Sequence, residues 1–265
     1  MNKLLMLGTG HGTVMNLYNT CFVIQNEDGN FLVDSGGSIE VIKRLKHFGI
    51  GINEVKHIFI SHCHNDHILG LIWIIKGLFK YPIDEENKLN IYCNDEVYEA
   101  IIGVAKLVIQ PMVVERVYKM INFHVLKDNE IIRINGVDYT FFDVNARGSK
   151  QYGFECLLNN KKLVFLGDEP LSSKLCSRVE NAHYVTHEAF CLESEEHIFK
   201  AHQKNHSTVK SACEIMQKLN VKNLILYHTE ESHQDNRKNL YCLEAKQYYT
   251  GNIFVPNDLD IIEIL

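Results

Sequence analysis

Among its 265 residues the chain has only four prolines, and it shows no internal repeat, low-complexity tract or shift in composition that would mark a linker. A chain without such breaks is expected to form one domain, residues 1–265. Long apolar runs are missing too. The longest near-apolar stretch, Ile68 to Ile75, is interrupted by Gly70 and ends at Lys76, which is too short to span a bilayer. The opening Met1-Asn2-Lys3 and its four apolar followers are too short for a signal peptide, so the expected location is cytoplasmic, with no membrane partner. Eight cysteines occur, but no two are spaced C-x-x-C. They fall in segments that look like strands and helices, and are expected to be reduced and mostly packing. A basic surplus is also absent: 27 Lys and Arg against 33 Asp and Glu give a net charge of −6, which disfavours a broadly basic nucleic-acid surface. Although Gly8-Thr9-Gly10-His11-Gly12 is glycine-rich, neither G-x-x-x-x-G-K-[ST] nor G-x-G-x-x-G follows. The glycines are expected to shape a turn, with His11 at the rim of a site.

What is present is globular composition, 46% hydrophobic and 23% charged, in a chain long enough to bury a large core. Apolar runs bounded by turn residues predict strands near 3–7, 20–25, 30–34, 55–60 and 88–93, with helices over 38–48, 67–79 and 95–108 between them. Pro111 punctuates the chain. From Ile121 the texture changes. Runs at 121–126, 130–134, 137–144, 152–158 and 161–166, joined by turns such as Asn135-Gly136 and Asn159-Asn160, predict an antiparallel meander. Beyond Asp168 the pattern returns to strands at 184–186, 222–227, 252–255 and 259–264, with helices at 207–219 and 236–249. Two sheets with helices outside them account for this order most simply.

Chemistry concentrates in His62-Cys63-His64-Asn65-Asp66-His67, just after the apolar strand 55–60. Histidines two apart on extended chain project to one side, so His62 and His64 can grip one ion while the following turn offers Asp66 and His67 to another. A merely solvated turn is the plain alternative. An apolar strand before the cluster and an apolar helix after it would bury part of it, however, at a desolvation cost that metal binding offsets. Asp168 and His228 also close apolar strands. Alone, the Asp would be a turn former or cap and the His a core residue. Their shared position at strand ends makes both candidate ligands.

Taken in order, "LGTGHGTV", "YNTCFVI", "FLVDSGG", "FISHCHNDHILG", "QYGFECLL", "KLVFLGDEP", "THEAF", "HST" and "LILYHT" resemble the metallo-β-lactamase-fold hydrolases, and within them the ribonuclease Z-like group. The match covers nearly the whole chain. This resemblance implies a four-layer αββα sandwich, two mixed sheets with helices on the outer faces, and two metal ions, usually zinc, at one edge. It implies His62 and His64 on the first ion, Asp66, His67 and His228 on the second, and Asp168 bridging both. Asp34 is implied to buttress the metal loop without binding metal. Glu188 and His206 are implied as a catalytic pair, His206 donating a proton to the leaving group and Glu188 orienting it, while Asp66 holds the proton of the attacking hydroxide.

One departure stands out. The family's third histidine for the first ion falls, by position, on Asn145. An amide oxygen is a weaker, uncharged ligand, so the first site is expected to be weak or to take an oxygen-preferring metal, with Mn2+ or Fe2+ as alternatives to Zn2+. His124, the only histidine between His67 and His183, lies inside a strand pattern well before that loop. Only 23 residues separate Asn145 from Asp168, which leaves no room for the protruding arm of the transfer-RNA-processing members. The expected activity is therefore hydrolysis of a small or nucleotide-derived phosphodiester, with a short RNA as the other substrate class and a homodimer by family analogy. Thioester, lactone or β-lactam hydrolysis, or a metal-binding homologue without turnover, are the competing expectations.

Overall fold

The computed structural model describes residues 2–82 and 88–265, and among these fourteen strands form two seven-stranded sheets. In the first sheet, β1 (Lys3–Gly8), β2 (Cys21–Asn26) and β3 (Gly29–Val33) pair antiparallel. Next come β4 (Val55–Ile60), β5 (Leu89–Cys93) and β6 (Ile121–Val125), each parallel to its predecessor. Parallel neighbours need crossovers, and these are α1 (Glu40–His47), α2 (Asn65–Leu78), α3 (Asp95–Val108) and α4 (Pro111–Tyr118). The second sheet begins with the antiparallel series β7 (Glu130–Ile134), β8 (Val137–Asp143), β9 (Tyr152–Leu158) and β10 (Lys161–Phe165). Helices α5 (Cys176–Val179), α6 (Glu196–Phe199), α7 (Val209–Lys218) and α8 (Arg237–Ala245) then lead to the parallel strands β11 (Tyr184–Glu188), β12 (Asn223–Tyr227) and β13 (Asn252–Phe254). Finally β14 (Ile261–Glu263) returns to pair with β1.

Strand periodicity explains the layering. Leu4 and Met6 of β1 pack between the sheets with Phe22, Phe31, Phe154 and Phe165, whereas Leu5 and Leu7 join Val41 and Leu45 of α1 on the outer face. In the second sheet Ile225 and Tyr227 point inward and Leu224 and Leu226 outward against α7 and α8. Strands buried on both faces read as unbroken apolar runs. The result is an αββα sandwich whose aromatic centre includes Phe154 and Phe165 stacked 5.2 Å apart. All eight cysteines are free thiols, five of them buried. Among the described residues no helix is long and apolar enough to cross a membrane.

Several expected boundaries move. Helix α2 begins at Asn65 and not 67, so Asp66 and His67 lie in its first turn. Residues 111–118 form α4, which starts at Pro111 because a missing N–H is harmless at that position. The strand at 121–126 is not part of the meander: as β6 it follows the α3–α4 crossover and extends the first sheet in parallel with β5. The other expected hairpin turns form with Asn135, Gly136, Asn159 and Asn160 all at positive φ, the conformation that two-residue hairpins favour. The strand at 184–186 runs on to Glu188, and the last strand shortens to Ile261–Glu263.

Candidate metal centre and its acid–base neighbour

Strand ends of both sheets converge on one site. His62 and His64 follow β4 of the first sheet, while Asp168 and His228 follow β10 and β12 of the second. The loop after β3 fixes their approach. Asp34 is buried, accepts from the Ser61 N–H at 2.8 Å and from the Ser61 hydroxyl, and lies 2.8 Å from His67 Nδ1. Beside it, Ser35 Oγ donates to the His67 carbonyl at 2.6 Å and accepts from the Leu71 N–H at 2.9 Å, clamping the first turns of α2. Gly70 permits that clamp, because a Cβ there would collide with the Ser35 carbonyl. Asp34 and His228 both adopt left-handed backbone, at φ 56° and 54°. Non-glycine residues keep such conformations where the surrounding structure over-determines them.

The side chains form two sets of possible ligands, His62 with His64 and Asp168, and Asp66 with His67 and His228, each set having its donor atoms within 4.8 Å of one another. Asp168 Oδ2 stands between the sets. It lies 3.4 Å from His62 Nε2, 3.5 Å from His67 Nε2 and 3.4 Å from His228 Nε2. Asp66 Oδ2 is 3.4 Å from His67 Nε2 and 3.6 Å from His228 Nε2. These separations are long for hydrogen bonds and suit donors around a shared centre. Consistent with this, the Nε2 atoms of His67 and His228 are buried without a hydrogen-bond partner. Gln151 aims the central carboxylate: its amide donates to Asp168 Oδ1 and its oxygen accepts from the Asp168 N–H.

Charge in this pocket asks for a cation. Burial by itself would raise the Asp66 and Asp168 carboxyls, but the surrounding imidazoles, His67 foremost for Asp66 and His62 for Asp168, hold both well below the usual carboxylate range. His67 is driven the other way: against the lowering effect of burial, Asp66 and Asp34 hold it well above its ordinary value. Burial drops His62 to about 3, and Asp168 only partly opposes it, so its ring is neutral and able to ligate. Buried carboxylates, the neutral His62 imidazole and the orphaned Nε2 atoms of His67 and His228 are a donor set that a divalent ion fits, the ion taking the place of the proton that the carboxylates otherwise favour on His67.

Beside this group the second pair assembles. Glu188, fully buried at the end of β11, accepts from the Ser207 N–H at 2.6 Å, and its other oxygen lies 3.5 Å from His206 Nδ1. Burial alone would lower the His206 pKa, but the hydrogen bond and charge of Glu188 raise it. The His206 ring stacks nearly parallel on Phe190, 5.1 Å away, and its centroid is 5.3 Å from that of His228. His11, its ring 4.7 Å from that of Phe190, is lowered to about 4 by burial and then by His228 and His206. A cavity of about 290 Å3 opens here, lined by His11, His64, Asp66, Asp168, Glu169, Phe190, Lys204, Asn205, His206 and His228. Larger hollows of 540 and 750 Å3 elsewhere carry none of these groups.

Not every expected residue joins the cluster. Asn145 does not: it is exposed at φ 58°, its oxygen accepts from Lys174 Nζ at 3.1 Å and its nitrogen donates to the Asp143 carbonyl at 3.1 Å. The left-handed turn after β8 directs the amide back onto its own loop. Ser149, four residues on, is the group that reaches His64, at 3.3 Å from Nε2. His124 is remote, stacked on Tyr92 at 4.8 Å. Sequence reasoning missed Gln151, Phe190, Lys204 and Asn205 as parts of the site. The Gln151-Tyr152-Gly153-Phe154 string carried a signal for the first and the "THEAF" string, which Phe190 closes, for the second, and nothing local distinguishes the other two.

Comparison with known proteins gives the class: this is a metallo-β-lactamase-fold hydrolase of the ribonuclease Z-like group. Ribonuclease Z of Borrelia duttonii is 28% identical over 309 aligned positions, which include 96% of this chain and 94% of that protein. Among solved structures, the metallo-β-lactamase-fold protein YhfI from Bacillus subtilis superposes with a TM-score of 0.79 at 17% identity, covering 99% of this chain and all of that one. Human tRNase Z, short form, superposes with a TM-score of 0.75 at 18% identity, covering 99% of each. Within that class the chain belongs to the family described as anti-Pycsar protein Apyc1, whose model matches residues 2–249.

Proposed function

We propose that the protein is a metal-dependent phosphodiesterase that cleaves a small, cyclic or nucleotide-derived phosphodiester. The observation that carries this reading is the placement of Asp168 Oδ2 among His62, His67 and His228, with His206, backed by the buried Glu188, lining the same cavity. The ligands are His62, His64 and Asp168 on one side and Asp66, His67 and His228 on the other, Asp168 being shared. Zn2+ is the proposed cation, with Mn2+ or Fe2+ as substitutes; when bound, such an ion supplies Lewis acidity and an activated water. Asn145 is left out of the set, and exposed His64 with Ser149 beside it leaves the first group the less complete.

In the reaction, Asp66 would accept a hydrogen bond from the attacking hydroxide and orient its oxygen toward phosphorus, to which that oxygen bonds. His206, whose pKa Glu188 raises, gives a proton from Nε2 to the leaving alkoxide as the P–O bond breaks. Glu188 holds Nδ1 of that ring and is itself anchored by the Ser207 N–H. Phe190 packs flat on the imidazole and limits its rotation.

Three features favour a small substrate over a folded RNA. The cavity, about 290 Å3, is near the lower limit of small-ligand pockets, roughly 300 Å3. Ribonuclease Z of Borrelia duttonii fills at least 44 aligned positions that this chain lacks, 309 less 265. The net charge is −6. The family description supplies the setting, action against a Pycsar system, and a small cyclic phosphodiester is the substrate class we assign to it. Turnover of bis(p-nitrophenyl) phosphate and of cyclic nucleotides, with no turnover of nitrocefin or a thioester, is the expected result. The reverse pattern, or no turnover with Zn2+, Mn2+ or Fe2+ supplied, would remove the proposal.

A further inference from the structure

Outside the cavity, a partly buried acidic group lies between two turns, with Glu230 its buried member. Glu195 ends the turn Glu193–Glu195 before α6, and Glu230 and His233 follow β12. One donor atom from each of these three side chains falls within 4.8 Å of the others. Glu195 Oε1 is 2.6 Å from His233 Nε2, and Glu230 Oε2 accepts from the Ser232 N–H at 2.5 Å. An ordinary histidine–glutamate pair would explain the first contact and nothing more. It leaves Glu230, only 2% exposed, with Oε1 buried and unpartnered, and Glu195 Oε2 in the same condition.

Among the described residues no lysine or arginine forms an ion pair with either carboxylate. Lys210 is drawn to Glu193, 3.5 Å away, and the Arg237 guanidinium is held by Thr229, Pro256 and Asn257. Two carboxylates sharing a buried place without a cation repel one another, and each keeps an unsatisfied oxygen at a desolvation penalty of several kcal/mol. A divalent ion removes both difficulties. Two carboxylates and an imidazole match the N/O donor set of Zn2+ or Mn2+, and two negative charges balance the ion.

We propose that Glu195, Glu230 and His233 form a third divalent-cation site, separate from the His/Asp group, which clasps the 193–195 turn to the 230–233 turn. Its place gives it a structural purpose. The Glu230 N–H donates to the Phe190 carbonyl at 2.7 Å, so the two clasped turns carry the wall on which His206 stacks. The ligands come from segments separated by 35 residues and tie the ends of β11 and β12 together beyond the reach of the sheet hydrogen bonds.

The test counts ions. Full-length protein stripped with chelator, reloaded with Zn2+ and dialysed is assayed by elemental analysis beside His233→Ala and Glu195→Gln, chosen because neither adjoins a residue of the His/Asp group. Both variants should hold one equivalent of Zn2+ fewer than the parent while the remaining equivalents stay. Equal stoichiometry in all three proteins overturns the site, and loss of every equivalent overturns its separateness. His233 is 29% exposed and Glu195→Gln is nearly isosteric, and the circular dichroism melt of each variant is recorded to establish that the fold is kept.

Discussion

Asp34→Asn is the most informative single change to the metal centre. The substitution keeps the shape of the side chain and suits the left-handed backbone at φ 56°, which asparagine tolerates and alanine does not. It also keeps an acceptor for the Ser61 N–H, now 2.8 Å from Oδ1. What changes is Oδ2, 2.8 Å from His67 Nδ1, which becomes an amide donor facing an N–H. In its neutral, ligating form His67 relieves that conflict by moving its proton to Nε2, the atom that faces Asp66 and Asp168, since turning the amide over would set its NH2 against the Ser61 N–H instead. A ring nitrogen carrying a proton cannot ligate. Removing such an outer partner of a ligand histidine lowers metal affinity or activity by about 10- to 100-fold, or roughly 1.4–2.7 kcal/mol. Alanine should do more harm: it orphans buried donors on Ser61 and His67 at about 1–3 kcal/mol each and strains the backbone. The assay is Zn2+ retained after dialysis against a competing chelator, with urea denaturation alongside. Zn2+ retention in Asp34→Asn equal to the parent would show that Asp34 does not set the His67 tautomer.

Three further outcomes follow from the same geometry. Asp168→Ala should abolish metal binding and turnover together, whereas His206→Ala should keep its metal and slow turnover by about 10²–10⁴-fold; parallel loss of metal in both would contradict the division of roles. In Glu188→Gln the burial that lowers His206 remains while the raising charge is gone, so the acid deprotonates sooner and the alkaline limb of the pH–rate profile moves to lower pH; an unmoved limb would count against the pair. Asn145→Ala should leave metal content unchanged, because that amide is engaged by Lys174 and Asp143; a fall in bound metal would return Asn145 to the ligand set.

The fold was largely legible because each layer leaves a local trace. Runs such as Leu4 to Leu7 and Leu224 to Tyr227 are apolar at every position since alternate side chains meet the inner core and the outer helices. Where the reading slipped, local signals could not carry the information. Nothing inside 121–125 says whether β6 joins a meander or a parallel sheet; the α3–α4 crossover before it decides that, and α4 itself was hidden behind a proline that reads as a break. His62 and Asp168 were named from short motifs, and the structure gathers them with His64, Asp66, His67 and His228. Asn145 was named by position in a family pattern, and a positive φ carried its amide elsewhere.

By itself the sequence marked candidate ligands at or just after the ends of apolar strands, because hydrophobic period and residue type are local properties. Tertiary structure alone decided which of those strand ends meet, that Phe190 and His206 line the cavity beside them, and that Gln151 and Glu188 stand behind Asp168 and His206. It also brought Glu195, Glu230 and His233 together, with one carboxylate oxygen of each glutamate left without a hydrogen-bond partner. Side chains distant in sequence acquire mutual distance, shared burial and common electrostatics only when packing of the two sheets fixes where their edges lie.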